Sequence, residues 1–133
     1  MEWKYVKPIK SEDLINDFEC AVKYCFPDDF RKCVLLYNGG RPINRSFDTE
    51  KTKERELKSF LSFNKEDRET VWKIMDWNKD ELGNRFIAFA IDNFGNLICF
   101  DANNDSIVFL NHENLETELI AKTFSEFIDK LYE

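Results

Sequence analysis

His112 is the single histidine of the chain, so any Ser-His-Asp or Cys-His machinery would have to run through it. Asn111 and Glu113 flank it and could orient the ring, whose proton affinity lies nearest neutrality among unperturbed side chains. Asp92 and Asp101 bracket a segment containing Gly95 and could be imagined as a carboxylate pair sharing acid–base work. Each has a plainer use. A histidine just after an apolar run can be a turn residue that bonds nearby backbone. Aspartates at turn positions more often accept from backbone N–H groups than catalyse. Neither pattern has the surrounding partners that proton transfer or nucleophilic attack requires, and the expectation is a chain with no catalytic residue.

Metal and cofactor chemistry is supplied no better. One histidine and scattered carboxylates do not make a transition-metal set. Asp92-Asn93-Phe94-Gly95-Asn96 hints at a calcium loop but lacks the acidic ladder that ends in a bidentate glutamate. Gly39-Gly40 follows a helical pattern instead of opening one, and no Gly-Lys-Ser/Thr comes after it, which argues against a phosphate loop. Cys20, Cys25, Cys33 and Cys99 contain no C-x-x-C pair. Three of them lie in apolar helical or strand contexts, where a free cysteine acts as a small hydrophobe, and reduced, buried thiols are expected over disulfides, as in a reducing compartment. No metal and no cofactor are expected.

What the chain does carry is acidic surface with aromatic residues set in it. Its 26 Asp plus Glu outnumber 19 Lys plus Arg, for a net charge of −7. Such a field repels nucleic acid and anionic membranes and attracts basic proteins. No apolar run approaches the roughly 20 residues that span a bilayer. The opening Met1-Glu2-Trp3-Lys4-Tyr5 has no apolar signal core, so a cytoplasmic location is expected. Within this background Asp76-Trp77-Asn78-Lys79-Asp80-Glu81 stands out. Trp77 has no periodic reason to be buried, and loop aromatics often anchor interfaces; the alternative is that it folds back over the edge of the core. Asp76, Asp80 and Glu81 would pair with arginine or lysine on a partner. Glu113, with Glu116 and Glu118, forms a second acidic cluster that is either a contact or a solvated face. Asp76, Trp77, Asp80, Glu81 and Glu113 are therefore the candidate contact residues, and the expected partner is a basic protein domain.

The elements that must position these residues are legible in part. Phe86 to Ile91 and Leu97 to Asp101 are apolar runs around Asp92–Asn96, which predicts a β-hairpin. Strict alternation puts Phe86, Ala88 and Ala90 on one face and Ile87, Phe89 and Ile91 on the other, and apolar character on both predicts a strand covered on both sides. Ser11 can cap a helix over about 12–24, with Leu14, Ile15, Phe18, Ala21 and Val22 at helical spacing. Pro27 opens a second helix with Asp28 and Asp29 in its first turn and Phe30, Cys33, Val34 and Tyr37 as its buried stripe. Asn38-Gly39-Gly40 ends it. A strand is predicted near 43–47, a charged loop over 49–56, and another strand near 58–62. Asn64 is read as the cap of a third helix that carries Val71, Trp72, Ile74 and Met75, and 76–84 as a polar loop. Ala102 to Ser106 is a turn and Ile107 to Leu110 a third adjacent strand. Helical spacing could begin at Leu115, but Thr123-Phe124-Ser125-Glu126 is a capping box and starts the last helix there, with Phe124, Phe127, Ile128 and Leu131 inward. The sum is an α+β single domain over 1–133: a mostly antiparallel or mixed central sheet flanked by N-terminal helices and a C-terminal helix.

The chain resembles the SMI1/KNR4 family of the SUKH superfamily. Three stretches carry the resemblance over about 11–131. The first is Glu19, then Pro27-Asp28-Asp29-Phe30 and Leu35-Leu36-Tyr37-Asn38-Gly39-Gly40-Arg41-Pro42. The second is Ala90-Ile91-Asp92, Gly95-Asn96 and Asp101. The third is Phe109 to Glu113, Ile120-Ala121 and Thr123 to Ile128. Lys23, Phe26 and Leu110 depart from residues frequent in the family. The resemblance implies a non-enzymatic domain. Bacterial members are mostly immunity proteins that neutralise a cognate toxin, often a nuclease, and fungal members are regulatory scaffolds. The expected partner is thus a cognate toxin domain, and the alternative is a cellular protein bound by a scaffold.

Overall fold

The computed structural model describes residues 2–133. A five-stranded antiparallel sheet in the order β5-β6-β7-β8-β9 forms its centre. β5 is Ser59–Phe60, β6 Phe86–Ile91, β7 Leu97–Asp101, β8 Ser106–Leu110 and β9 Thr117–Ala121. Ahead of it come β1 (Trp3–Lys4), α1 (Asp13–Val22), α2 (Asp28–Tyr37), β2 (Arg41–Pro42), β3 (Ser46–Phe47) and β4 (Arg55–Glu56). The short strands pair as β1-β2 and β3-β4. α3 (Val71–Trp77) and α4 (Lys79–Leu82) separate β5 from β6, and α5 (Phe124–Lys130) closes the chain. The expected α+β architecture is the one found.

The central hairpin forms where its sequence places it. Gly95 adopts φ +86° in the turn, a region open to glycine without steric cost. Every residue of β7 is buried, as expected for a strand covered on both faces. The register departs from strict alternation at Phe89, which stands between the pairs Ala88–Cys99 and Ala90–Ile98 as a β-bulge. Ala88 and Ala90 therefore do not share the simple face that period two assigns them. Phe89 reaches a cluster built by α2 and α5: Phe30 lies 5.3 Å from it, Phe124 5.8 Å and Phe127 6.0 Å between ring centroids. Phe30 also meets Phe100 edge-on at 5.1 Å. These are favoured offset and edge-to-face geometries, each adding about 0.5–1.5 kcal/mol beyond area burial, and they explain why so much of the core is phenylalanine.

Four expectations are corrected. Asn64 caps no helix; it is buried, its side chain accepting from the Lys10 N–H and donating to the Pro8 carbonyl. The helix starts at Val71 and is capped by Thr70, whose hydroxyl oxygen accepts from the Lys73 N–H. The stretch 76–84 is not a polar loop, because α3 runs through Trp77 and α4 follows at once. Residues 117–121, left without an element, are the sheet's fifth strand. Finally, Cys20 and Cys25 are exposed, Cys33 is half-buried, and only Cys99 is fully buried. Thr123 does cap α5, its hydroxyl oxygen accepting from the Glu126 N–H at 3.1 Å, but the reciprocal half of the capping box does not form, because the Glu126 carboxylate pairs with Lys130 at 2.8 Å.

Candidate functional site

The side chains that could have formed a catalytic group are spread over both ends of the sheet. Asp92 is buried in the hairpin turn. Its Oδ1 accepts from the Phe94 and Asn96 N–H groups, both at 2.9 Å, and its Oδ2 accepts from the Asn96 amide at 2.9 Å. Asn96 Oδ1 in turn accepts from the His112 N–H at 3.1 Å. The exposed His112 ring lies against Gly95, where a β-carbon would stand 3.6 Å from it. Asp92 thus fixes its own turn, the structural role the sequence favoured, whereas His112 bonds a side chain and not a backbone group: Asn96 ties the two turns together by accepting from the His112 N–H.

Asp101 sits at the other end. Arg85 donates to it from Nε at 3.2 Å and Nη2 at 2.9 Å, and the Asn103 N–H donates at 3.0 Å. The hydrogen-bonded Arg85 guanidinium holds the Asp101 carboxyl below the ordinary carboxylate range, against the opposing pull of burial. β7 lies between the two aspartates. At about 3.3 Å per strand residue they stand some 15 Å apart or more. Asp92, Asp101 and His112 do not converge on a cavity, and among the described residues no group of three or more His, Cys, Asp or Glu could hold a metal ion.

The contact candidates fare differently. Trp77, the last residue of α3, is 69% exposed. Asn78 ends that helix twice over, its N–H donating to the Ile74 carbonyl at 3.1 Å and its side-chain amide at 2.8 Å. α4 then turns back, held by the buried Leu82 and stopped at Gly83 with φ +57°. Asp76, Asp80 and Glu81 are all exposed around this corner, and none makes an ion pair among the described residues. Four of the five candidates therefore form one acidic knuckle with an indole at its apex. Beside it runs a cleft of about 650 Å³ floored by Phe18, Val22, Trp72, Met75, Phe86 and Ile87.

Glu113 does not join them. It lies in the turn from Asn111 to Glu116, next to the Asp92 turn and at the opposite end of the sheet from α4. Glu118, grouped with it in sequence, is half-buried and accepts from the Thr49 hydroxyl and the Arg55 guanidinium. The acidic cluster is thus split by the fold. Sequence reasoning passed over two exposed apolar residues: Phe94 at the hairpin turn and Leu115 in the next turn. The available signal was an apolar residue set among turn-formers, with no alternation partner.

No helix is long and apolar enough to cross a membrane among the described residues. A SUKH family model, described as SMI1-KNR4 cell-wall, matches residues 12–128, from the start of α1 into α5. A comparison with curated proteins finds no match.

Proposed function

The chain belongs to the SMI1/KNR4 family of SUKH proteins, and from that premise we propose that it is an immunity-type binding protein that neutralises a basic toxin domain, a nuclease by class. The observation that supports this most is the knuckle. Trp77 is 69% exposed at the junction of two helices, with Asp76, Asp80 and Glu81 around it making no ion pair among the described residues. Indoles are over-represented among residues that dominate binding energy, because they bury much area at little conformational cost. Carboxylates around such an anchor speed encounter with a positive surface and fix its register. A groove that binds a nucleic-acid phosphate backbone is lined with lysine and arginine. An acidic protrusion seated there would occlude substrate without any bond being made or broken.

The test is protection. Cells expressing the terminal domain of a secreted toxin encoded beside this chain should survive when the chain is co-expressed. Trp77→Ala combined with Glu81→Lys should abolish survival, while Glu113→Lys should leave it intact. Failure of the unmodified chain to protect would remove the immunity reading and leave the regulatory scaffold in its place.

A further inference from the structure

The end of the sheet away from Trp77 carries an apolar patch that the immunity reading does not use. Two turns meet there, Asp92 to Asn96 and Asn111 to Glu116, joined by the His112 N–H bond to Asn96 and by the His112 ring over Gly95. Phe94 projects from the first with 79% exposure and Leu115 from the second with 49%. Neither belongs to the core. Leu115 is held at φ +62°, a region that a bulky L-residue occupies only at a cost. Both turns are fixed by side-chain to backbone bonds. Asp92 accepts from the Phe94 N–H, Asn111 from the Glu113 N–H at 2.8 Å, and Asn114 from the Glu116 N–H at 2.9 Å. The two apolar side chains are thus presented from rigid supports, and little ordering remains to be done on contact.

Around them the charge is one-sided. Glu54, Glu113 and Glu116 are exposed and make no ion pair among the described residues. A groove of about 320 Å³ runs between Phe94 and the 52–56 loop; of its two cations Arg55 is engaged by Glu118, and Lys53 makes no ion pair among the described residues. We propose that Phe94 and Leu115 form a second docking surface, for a protein that offers an apolar socket rimmed by lysine or arginine. Charge decides the occupant. Unpaired carboxylates around the patch oppose both a second copy of this acidic chain and an anionic membrane, and favour a basic rim. This goes beyond the immunity reading, since the patch is at the other end of the molecule and needs no toxin.

The experiment places the photo-crosslinking residue benzoylphenylalanine in the intact chain in place of Phe94 and irradiates the source cells. The same probe in place of Leu36, which is 67% exposed, reports chance encounters. The expected result is an adduct with a basic protein from the first position only, lost when Glu113→Lys and Glu116→Lys are added. The purified partner should then bind the Phe94→Ser chain about 30-fold more weakly, as removal of a hot-spot residue does, with no change in thermal midpoint. The proposal is overturned by an adduct no stronger than that from the Leu36 position, by adducts only with a second copy or with lipid, or by an affinity that Phe94→Ser leaves unchanged. Toxin protection that survives Phe94→Ser, with no adduct, sinks this surface and spares the immunity reading. A basic partner that is not a toxin, in cells the chain fails to protect, does the reverse.

Discussion

Asp101 has a pH signature that its two neighbours explain. Its carboxyl is held below the ordinary range by the hydrogen bonds from Arg85 and Asn103. A carboxylate with a folded pKa below its unfolded value of about 3.9 contributes stability that is complete above that value. The contribution is then lost as the pH falls through the folded value. Asp101→Asn should therefore lower the thermal midpoint at neutral pH, by about 1–3 kcal/mol of stability for the bonds lost at a buried acceptor. Below about pH 4 the mutant and the unmodified chain should draw together. Midpoint curves that stay parallel through that window would show that the pair adds nothing. The thiols give a second test at this scale. Burial, reinforced by the nearby Asp29 charge, pushes Cys33 up to about 12, and burial alone pushes up Cys99. Cys20 and Cys25 are exposed, so a thiol reagent should modify those two in the folded chain and reach Cys99 only on unfolding. Rapid labelling of Cys99 would contradict its placement in the sheet.

At the scale of elements, the two threonine caps carry the test. Thr70→Ala and Thr123→Ala each remove an acceptor for a first-turn N–H, and each should cost about 1 kcal/mol in chemical denaturation. A cost at Thr123 with none at Thr70 would mean that α3 is held by packing alone. The contrast between these caps also shows how far the sequence could be read. Thr123-Phe124-Ser125-Glu126 is visible because the threonine and the N–H it caps are three residues apart. Thr70 was missed because Asn64, followed by three acidic residues, imitates a cap better than Thr70 does. Asn64 is instead used by Lys10 and Pro8, more than 50 residues away in the chain, and no local rule anticipates such a partner. β9 was missed for a related reason. β9 pairs with β8 along its length, and at its outer edge the Glu50 N–H donates to the Leu119 carbonyl while the Leu119 N–H donates to the Glu50 carboxylate, so tertiary pairing decides a segment whose own spacing is ambiguous. The hairpin was legible because both apolar runs and their turn are contiguous, but the bulge at Phe89 was not. Four of the five contact candidates were found together because 76–81 is one segment. Glu113 was misgrouped because distance across a sheet is invisible to spacing.

Across the whole molecule, the aromatic core joins sheet and helices, and two of the exposed surface features stand at opposite ends of the sheet. Trp77 and its carboxylates stand beside the start of β6, and Phe94, Leu115 and Glu113 stand beside its finish. Asp92, Asp101 and His112, the residues that could have made a reaction centre, are spent on turns and an ion pair at those two ends. The proposed function therefore requires grip at the Trp77 knuckle. The most direct test of that grip is calorimetric titration of the basic toxin domain that the proposed function requires, with the unmodified chain and with Trp77→Ala, at two salt concentrations. Binding should be about 30-fold weaker for the mutant at an unchanged thermal midpoint, as for a central anchor residue, and weaker for both chains at higher salt. Equal affinity of the two chains for that domain would contradict that grip.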